Sequence, residues 1–424
     1  MNSRMQSAAL LLIDIGIMFI GLGILALKTY PEVLLEPFAW AAGASAMAIL
    51  VHSYILKKGL AADKWIFPIV MFFSSLGIIM LARLKPVLCV PQLRWLMIGM
   101  AVMLVTIHLA RKFSDIFQYQ YILGLVTIAV LCLSLVFGTE IGGSKNWLVL
   151  GPFQVQPSEF GKILLVLFLS AYLADHKDMM MSATKKIGIL EVPPLRFIAP
   201  LLCIWGIAIL MFVVQRDLGS ALLFFCMAVS MTYMATGNKS YVLIAVGFFS
   251  IGALISYALF SHVQVRFNIW LDPWADPSGQ AYQLVQSLFA LGSGGVWGAG
   301  FGNGHPGLIP EVHTDFIFSA IGEELGLLGC FAVMLAYVLF FYRGMKIAFS
   351  CQRDLDILTA AGLSLAFLLQ AFIIIAGVTR FLPLTGITLP FVSYGGSSMV
   401  SGFIMLGMLL AISAKEKYNG KGKY

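Results

Sequence analysis

The sequence is poor in charge for its length. Asp, Glu, Lys and Arg make up 11% of its 424 residues, whereas soluble domains carry about 25%. Hydrophobic residues make up 60%, which is more apolar sequence than a soluble core requires. The composition therefore excludes an ordinary soluble domain and predicts a chain that has the lipid bilayer as its main solvent.

The sequence also lacks the patterns of several common kinds of site. Its six cysteines show no spacing typical of a zinc site, a haem attachment or a disulfide framework. The net charge of +7 is not gathered into a basic tract interleaved with aromatic residues, which argues against nucleic acid as a partner. Neither an internal repeat nor a low-complexity linker is found. The positive charge is instead typical of basic cytoplasmic loops in a membrane protein.

The first apolar run, residues 8–27, is preceded by one basic residue, Arg4. No small-residue cleavage site follows it, which is unlike a signal peptide. We therefore expect this run to be a retained membrane span.

Apolar runs long enough to cross about 30 Å of hydrocarbon recur along the chain. Twelve spans are predicted, near residues 8–27, 34–56, 65–83, 95–110, 119–138, 160–174, 197–214, 218–236, 241–260, 315–342, 356–378 and 391–413. The expected fold is an all-α polytopic membrane protein with about twelve transmembrane helices.

The distribution of lysine and arginine predicts the orientation of these spans. With a cytoplasmic N-terminus, 18 of the 27 Lys and Arg residues fall on the cytoplasmic side and 9 on the outer side. Cytoplasmic loops of membrane proteins carry such an excess. We therefore expect both termini in the cytoplasm, with a basic cytoplasmic tail over residues 416–424.

Two connections on the expected outer side are long, near residues 139–159 and 261–314. Long connections are usually functional or disordered, and the second has too many Trp, Phe and Gly residues for disorder. Within it, residues 281–298 predict a short helix followed by a glycine loop. The glycine run at 292–304 lacks the lysine and hydroxyl residue of a phosphate-binding loop, so we interpret it as tight turns.

Polar residues collect near one end of the predicted spans. They are Glu159, Lys162, Arg216, Asp217, Asp315, Arg380 and the run 389–398. Ionisable groups are costly to bury in a membrane, so their clustering predicts a polar cavity open to the outer side. Spacing alone leaves alternatives open. Glu159 and Lys162 also fit an ion pair on one helix face, and Asp315 fits a helix cap as well as a catalytic group.

Four motifs occur in order along the chain: SKNWLVLGPFQVQPSEFGK (144–162), QRDLGSALL (215–223), PEVHTDFIFSAIGEELGLLG (310–329) and PLTGITLPFVSYGGSS (383–398). Together they resemble the SEDS family of bacterial shape, elongation, division and sporulation proteins (RodA, FtsW and SpoVE types). The resemblance covers roughly residues 61–415. Family members commonly have ten spans, so the two further spans make residues 1–60 an additional N-terminal hairpin.

The resemblance implies a peptidoglycan glycosyltransferase in the bacterial plasma membrane. It would polymerise lipid II, a disaccharide-pentapeptide on undecaprenyl diphosphate, at the outer face of that membrane. It also implies a class B penicillin-binding protein as the partner that crosslinks the new strand. The essential acidic residue of the family lies in the motif matched by HTDFIF, which gives that role to Asp315.

Glycosyl transfer from a diphosphate needs a base for the acceptor hydroxyl and positive charge at the departing diphosphate. We expect Asp315 to be the base. The candidates for the positive charge are Lys162, Arg216, Arg266 and Arg380. The candidates for orienting these groups are Glu159, His313, Ser393 and Ser397. A divalent cation could assist the transfer, but the sequence shows no dedicated ligand set for a metal.

Two other functions compete with this one. A transporter that flips lipid-linked precursors suits twelve spans, and the deeper residues Glu323 and Glu324 favour it. The absence of a repeat and the gathering of polar groups at one end oppose it. The third possibility is a non-catalytic scaffold for a penicillin-binding protein.

Overall fold

The computed structural model describes residues 3–28, 31–112, 118–141, 144–151, 153–182, 185–187, 190–192 and 195–420. Fourteen α-helices lie in these ranges. They are α1 (Ser3–Lys28), α2 (Pro31–Lys58), α3 (Ile66–Leu84), α4 (Cys89–Lys112), α5 (Gln120–Phe137), α6 (Pro157–Ser182), α7 (Leu195–Val214), α8 (Leu218–Thr236), α9 (Lys239–Leu259), α10 (Ser261–Leu271), α11 (Tyr282–Gly294), α12 (Ile317–Ser350), α13 (Asp354–Val378) and α14 (Gly396–Gly420).

Eleven helices within the described ranges are long and apolar enough to cross a membrane. The predicted span at 197–214 corresponds to α7, whose apolar part, Ala199–Val214, is shorter. Helices dominate because a backbone in hydrocarbon must satisfy its own hydrogen bonds. The prediction of an all-α polytopic membrane fold is therefore confirmed.

Several predicted boundaries were wrong. The sixth span was placed at 160–174, but α6 continues through polar residues to Ser182. The tenth was expected to open at Asp315, yet α12 begins at Ile317 and runs to Ser350. The twelfth was expected from residue 391, where the chain still forms turns before α14 begins. Apolar content alone misplaces ends, because helices continue into polar sequence and apolar residues also occur in turns.

Of the predicted tail at 416–424, residues 416–420 belong to α14, and 421–424 lie outside the described residues. The helices have two sets of ends. We call one the Asp315 side, where α3, α7 and α13 end and α8, α12 and α14 begin. The other set is called the opposite side.

The long connection near 139–159 contains three short strands. They are β1 (Thr139–Ile141), β2 (Ser144–Leu150) and β3 (Phe153–Val155), joined as an antiparallel sheet in the order β1-β2-β3. Leu148 pairs with Val155, and Thr139 pairs with Trp147. On the opposite side, β4 (Lys185–Ile187) and β5 (Leu190–Val192) form an antiparallel pair. The sequence analysis did not predict these strands.

The helix α12 is broken at Gly326, whose φ of 68° and ψ of −168° are not helical. A second segment, residues 295–305, called here the glycine loop, replaces the lost helical hydrogen bonds. The carbonyl of Glu323 accepts from Ala299 N at 2.8 Å, and Leu327 N donates to the carbonyl of Gly295 at 2.9 Å. A helix break inside a membrane protein is tolerated where neighbouring protein satisfies the backbone in this way.

The side chains of Glu323 and Glu324 also hold the glycine loop. Glu323 Oε1 accepts from the backbone N of His305 at 2.7 Å, and Glu324 Oε2 accepts from Gly302 N at 3.1 Å. Arg83 Nε lies 2.8 Å from Glu324 Oε1. The two glutamates that favoured a transporter from sequence therefore have structural partners at this position.

The helices α1 and α2 pack against the rest of the bundle. A Cβ added to Gly21 of α1 would lie 2.9 Å from the side chain of Ile79 in α3, so the two helices approach closely. The helices α1 and α2 also bury polar side chains. Ser7 Oγ lies 3.3 Å from Nε2 of His52, and Asp14 is 2% exposed.

Candidate active site

One connection organises the polar residues on the Asp315 side. It is the segment between α13 and α14, residues 379–395, called here the 379–395 loop. Arg266 Nη1 donates to the carbonyls of Leu384 and Thr385, at 3.1 Å each. Ser393 Oγ donates to the carbonyl of Thr314 at 2.5 Å. The loop thus ties α10 to the turn that carries Asp315.

Asp315 lies in the turn directly before α12. The N-cap of α12 is Phe316 and shows no side-chain cap bond, so the alternative of Asp315 as the helix cap was wrong. The Asp315 carboxylate instead faces Gly386 in the 379–395 loop. A Cβ added to Gly386, whose φ is +72°, would lie 3.4 Å from Asp315 Oδ2. A side chain there would be strained and would crowd the carboxylate.

The surroundings of Asp315 make it a better base than an exposed aspartate. Burial raises its pKa to about 6, while a hydrogen bond from Thr314 and the charge of Arg266 act in the opposite direction. Burial lowers the pKa of Arg266, and the charges of Asp217 and Asp315 raise it. Arginine stays protonated at any such shift, so Asp315 has a cation as neighbour.

Asp217 is the N-cap of α8. Its carboxylate accepts from Ser220 N at 2.9 Å, from Ser220 Oγ at 2.7 Å and from Asn146 Nδ2 at 2.7 Å. Three donors therefore hold this carboxylate in place. Through Asn146, the cap also fixes β2 beside the site.

Arg216 extends from the same turn toward solvent. It has a φ of 61°, uncommon for a residue with a side chain, and its Nη1 lies 3.5 Å from Glu140 Oε1. Arg216 and the adjacent Asp217 thus reach different partners. Burial and the charges of Arg216 and Arg266 lower the pKa of His262 in α10. A neutral histidine therefore stands among these cations.

Three buried polar atoms near this cluster have no hydrogen-bond partner within the described part of the chain. They are Asn146 Oδ1, His262 Nε2 and Thr385 Oγ1. Buried polar atoms are normally paired, and exceptions often accompany functional sites. The sequence analysis missed all three, although Asn146 and Thr385 lie inside the motifs that it singled out.

Lys162 and Glu159 form the ion pair that their spacing allowed. Lys162 Nζ lies 2.5 Å from Glu159 Oε2 and 2.8 Å from Gln370 Oε1. Ser401 Oγ donates to Glu159 at 2.6 Å, and Gln370 Nε2 donates to the carbonyl of Thr388 at 2.9 Å. This buried network supports the 379–395 loop from within the bundle.

Arg380 holds the end of α10. Its Nε donates to the carbonyl of Trp270 at 2.9 Å, and its Nη2 donates to the carbonyl of Leu271 at 2.6 Å. A cation at the carboxyl end of a helix is favourable, because the unpaired carbonyls carry negative charge. Arg380 thus fixes the helix that carries Arg266.

Ser397 and His313 contact other parts of the site. Ser397 Oγ accepts from Gln156 N at 3.1 Å and donates to the carbonyl of Gln154 at 3.2 Å. His313 Nε2 lies 3.5 Å from Glu311 Oε2. Burial and the charge of Lys85 lower the pKa of His313, while Glu311 raises it. The exposed Lys85 is a nearby cation that the sequence analysis did not select.

The arrangement exposes a carboxylate with a raised pKa to the charge of a fixed arginine, with Arg216 exposed at the edge. Such a site can remove a proton from a neutral hydroxyl and stabilise a nearby anion. No group of three His, Cys, Asp or Glu side chains among the residues described is placed to hold a metal ion.

The fold and the site together define a polytopic helical membrane protein with a charged site at one end of its bundle. The chain belongs to the FtsW/RodA/SpoVE family: the model FTSW_RODA_SPOVE, described as "Cell cycle protein", matches residues 56–418. It is thus a multi-pass bacterial membrane protein, and the SEDS resemblance is confirmed.

Individual relatives agree with the family. The chain is 38% identical over 375 residues to the peptidoglycan glycosyltransferase RodA of Mycobacterium tuberculosis, a match that covers 85% of this chain and 80% of that protein. Among solved structures, a peptidoglycan synthase complex that coordinates polymerization and crosslinking matches with a TM-score of 0.66 and 26% identity, over 84% of this chain and 98% of that one. The crystal structure of Thermus thermophilus RodA matches with a TM-score of 0.59 and 26% identity, over 84% and 97% of the two chains.

Proposed function

We propose that this protein is a peptidoglycan glycosyltransferase that polymerises lipid II at the outer face of the plasma membrane, with Asp315 as general base. The observation that carries the proposal is the Asp315 carboxylate. It lies at the end of the helix bundle with a pKa raised to about 6, under the influence of the half-buried Arg266. The mycobacterial relative, named as a peptidoglycan glycosyltransferase, supports the reaction class.

In the proposed reaction, Asp315 takes the proton from a sugar hydroxyl of the acceptor. The hydroxyl oxygen attacks the anomeric carbon of the donor, and the bond from that carbon to the diphosphate oxygen breaks. Undecaprenyl diphosphate leaves with the bonding electron pair. A base with a pKa near the working pH suits this step, because it is ionised and still accepts a proton readily.

Arg266 is the strongest candidate for the charge that stabilises the departing diphosphate. Its guanidinium is fixed by two backbone carbonyls, so it needs little rearrangement when negative charge develops. Arg216 at the edge and Lys85 beyond His313 add exposed positive charge. A divalent cation that arrives with the diphosphate remains part of the proposal, and chelation during the polymerisation assay tests it.

The other predicted residues hold parts of the site in place. Glu159, Lys162, Ser393 and Ser397 brace the 379–395 loop and β3, while Arg380 braces α10. His313 contacts the same loop, because its carbonyl accepts from Tyr394 N at 3.0 Å. This assignment replaces the direct substrate role that the sequence suggested for Lys162 and Arg380.

The excess of lysine and arginine on the opposite side supports cytoplasmic termini, with the Asp315 side facing outward. Lipid II would then reach Asp315 from the outer leaflet. The likeness to a solved peptidoglycan synthase complex supports a class B penicillin-binding protein as partner. The partner would crosslink the strand that this chain polymerises.

The test is polymerisation of labelled lipid II by purified protein with its partner. Asp315→Asn keeps the shape of the side chain but cannot take the proton, so we expect the rate to fall at least about 100-fold. Asp276→Asn, an exposed aspartate between α10 and α11, is the matched control and keeps the wild-type rate. Undiminished polymer from Asp315→Asn removes this residue from the mechanism.

The same preparations separate the competing functions. A flippase moves lipid II across vesicle membranes without making polymer, and a scaffold makes neither product while it still binds its partner. The contacts of Glu323 and Glu324 with the glycine loop account for one of the two observations that favoured transport.

A further inference from the structure

The last residue of α1, Lys28, reaches the glycine loop. Its Nζ donates to the carbonyl of Phe301 at 2.6 Å and to Asn303 Oδ1 at 2.8 Å. Between these residues stands Gly302, with a φ of +78°, and a Cβ added there would lie 3.3 Å from Lys28 Cδ. The aliphatic stem of the lysine therefore lies against the loop backbone while the ammonium group holds two of its oxygens.

The same loop is bonded to the part of α12 that follows Asp315. Gly302 N donates to Glu324 Oε2, and His305 N donates to Glu323 Oε1. Both glutamates lie before the break at Gly326, in a short helical segment that begins two residues after Asp315. A shift of the loop is therefore passed to the segment that sets the position of Asp315.

The loop depends on side chains for its conformation. Gly298, Gly300 and Gly302 all have positive φ, and glycine-rich backbone has many other conformations available. Exposed charged contacts contribute little to stability. The two hydrogen bonds of Lys28 instead fix a backbone carbonyl and a side-chain amide oxygen of this loop. Its main effect is to select one conformation of the loop.

We propose that Lys28 is a positioning residue for Asp315, and that the N-terminal hairpin braces the active site through it. Nearly all of the hairpin lies outside the region matched by the family model, which begins at residue 56. The brace is therefore a feature of this chain beyond the matched core. The inference rests on the proposed glycosyltransferase function for its activity readout only.

The experiment compares three variants in the lipid II assay. Lys28→Met removes the charge and keeps the stem, Lys28→Arg keeps a donor, and Lys57→Met removes an exposed charge at the other end of the hairpin. We expect Lys28→Met to lower kcat roughly tenfold with KM little changed, since small misplacements of reacting groups cost rate. Lys28→Arg restores most of kcat, and Lys57→Met matches the wild type.

A second measurement does not depend on activity. Hydrogen–deuterium exchange of the amides at 299–305 is expected to be faster in Lys28→Met than in Lys57→Met, because the loop samples more conformations. Asn303→Ala removes one of the two acceptors and is expected to give a smaller increase. Asn303→Ala also covers the case in which Lys28→Met fails to fold.

Three results would overturn the brace: a wild-type kcat in Lys28→Met, a loss of kcat that Lys28→Arg does not restore, or unchanged exchange in the loop. Failure of the proposed function looks different. In that case the wild-type protein makes no polymer, and the exchange measurement still decides whether Lys28 holds the loop.

Discussion

At the residue scale, the feature that distinguishes Asp315 is its combination of partial burial and charged and apolar neighbours. Phe316 is almost fully buried, and Gly386 leaves room for the carboxylate but for little else. Burial opposes ionisation, whereas Thr314 and Arg266 favour it. The balance leaves an acid that titrates within the range of an ordinary assay.

This balance predicts the pH dependence of polymerisation. Asp315 must be ionised to accept a proton, and its pKa in the folded protein is raised to about 6. The rate is therefore full well above that pH and falls as the pH drops through it. The measurement is the initial rate of lipid II polymerisation against pH. A rate that stays constant from pH 7 down to pH 5 would contradict Asp315 as the base.

Arg266→Gln tests whether the charge of Arg266 helps to set the pKa of Asp315. Removing this charge takes away an influence that lowers the pKa of Asp315, so the acid limb of the profile moves to higher pH. Arg94→Gln is the matched control. It removes an exposed cation of α4 whose described contacts are with Glu36 and Trp40, and we expect it to leave the limb in place. An identical shift in both variants would point to a general charge effect.

At the element scale, the break in α12 decides how the site is built. A continuous helix would leave the glycine loop without the carbonyls of Glu323 and Glu324 as acceptors. The two backbones approach so closely at Gly298 and Gly326 that a Cβ on either would overlap the other. Only glycine permits this contact, and both residues also have positive φ.

The charge of Glu324 is expected to stabilise this arrangement. Its side chain is fully buried and pairs with Arg83, so Glu324→Ala leaves that cation without its carboxylate partner and costs about 3 kcal/mol. Glu323→Ala removes only a bond from a neutral backbone amide and is expected to cost less. Thermal unfolding midpoints in detergent compare the two variants. A larger drop for Glu323→Ala would show that the ion pair is not what holds the loop.

At the scale of the whole molecule, the proposed reaction requires the site to face the outer side of the membrane. The helix ends bring Asp315, Arg266 and Asp217 together on one side, where the lysine and arginine content is lower. Positive residues are retained in the cytoplasm, which predicts that the Asp315 side faces outward.

Labelling of single cysteines tests this orientation. In a background without the six native cysteines, Asp276→Cys is expected to react with a membrane-impermeant maleimide on intact cells. Lys57→Cys, from the opposite side, is expected to react only after permeabilisation. Both positions are exposed in the structure. The reverse pattern would place Asp315 in the cytoplasm and end the proposed reaction with outer-leaflet lipid II.

The sequence predicted the membrane spans more completely than it predicted the site. Long apolar runs made the membrane helices evident, because each span is specified by its own composition. The short strands β1 to β3, which pair with one another inside a single connection, were missed. The break at Gly326 was missed because it depends on hydrogen bonds to the glycine loop. Asn146 and His262 were missed because neither has a local pattern that marks it as part of a site.

The sequence by itself determined that the lipid bilayer is the main solvent of the chain. It also determined the membrane helices and the collection of charged residues at one end of the bundle. These properties follow from local composition and from the length that a bilayer requires. Only the tertiary structure decided which charges meet. The charge of Arg266 acts on Asp315, while Lys162 pairs with Glu159 and Arg380 holds α10. Spacing allowed the pair of Lys162 and Glu159, but it could not place Arg266 and Arg380, because their contacts depend on how the 379–395 loop folds back between the helices.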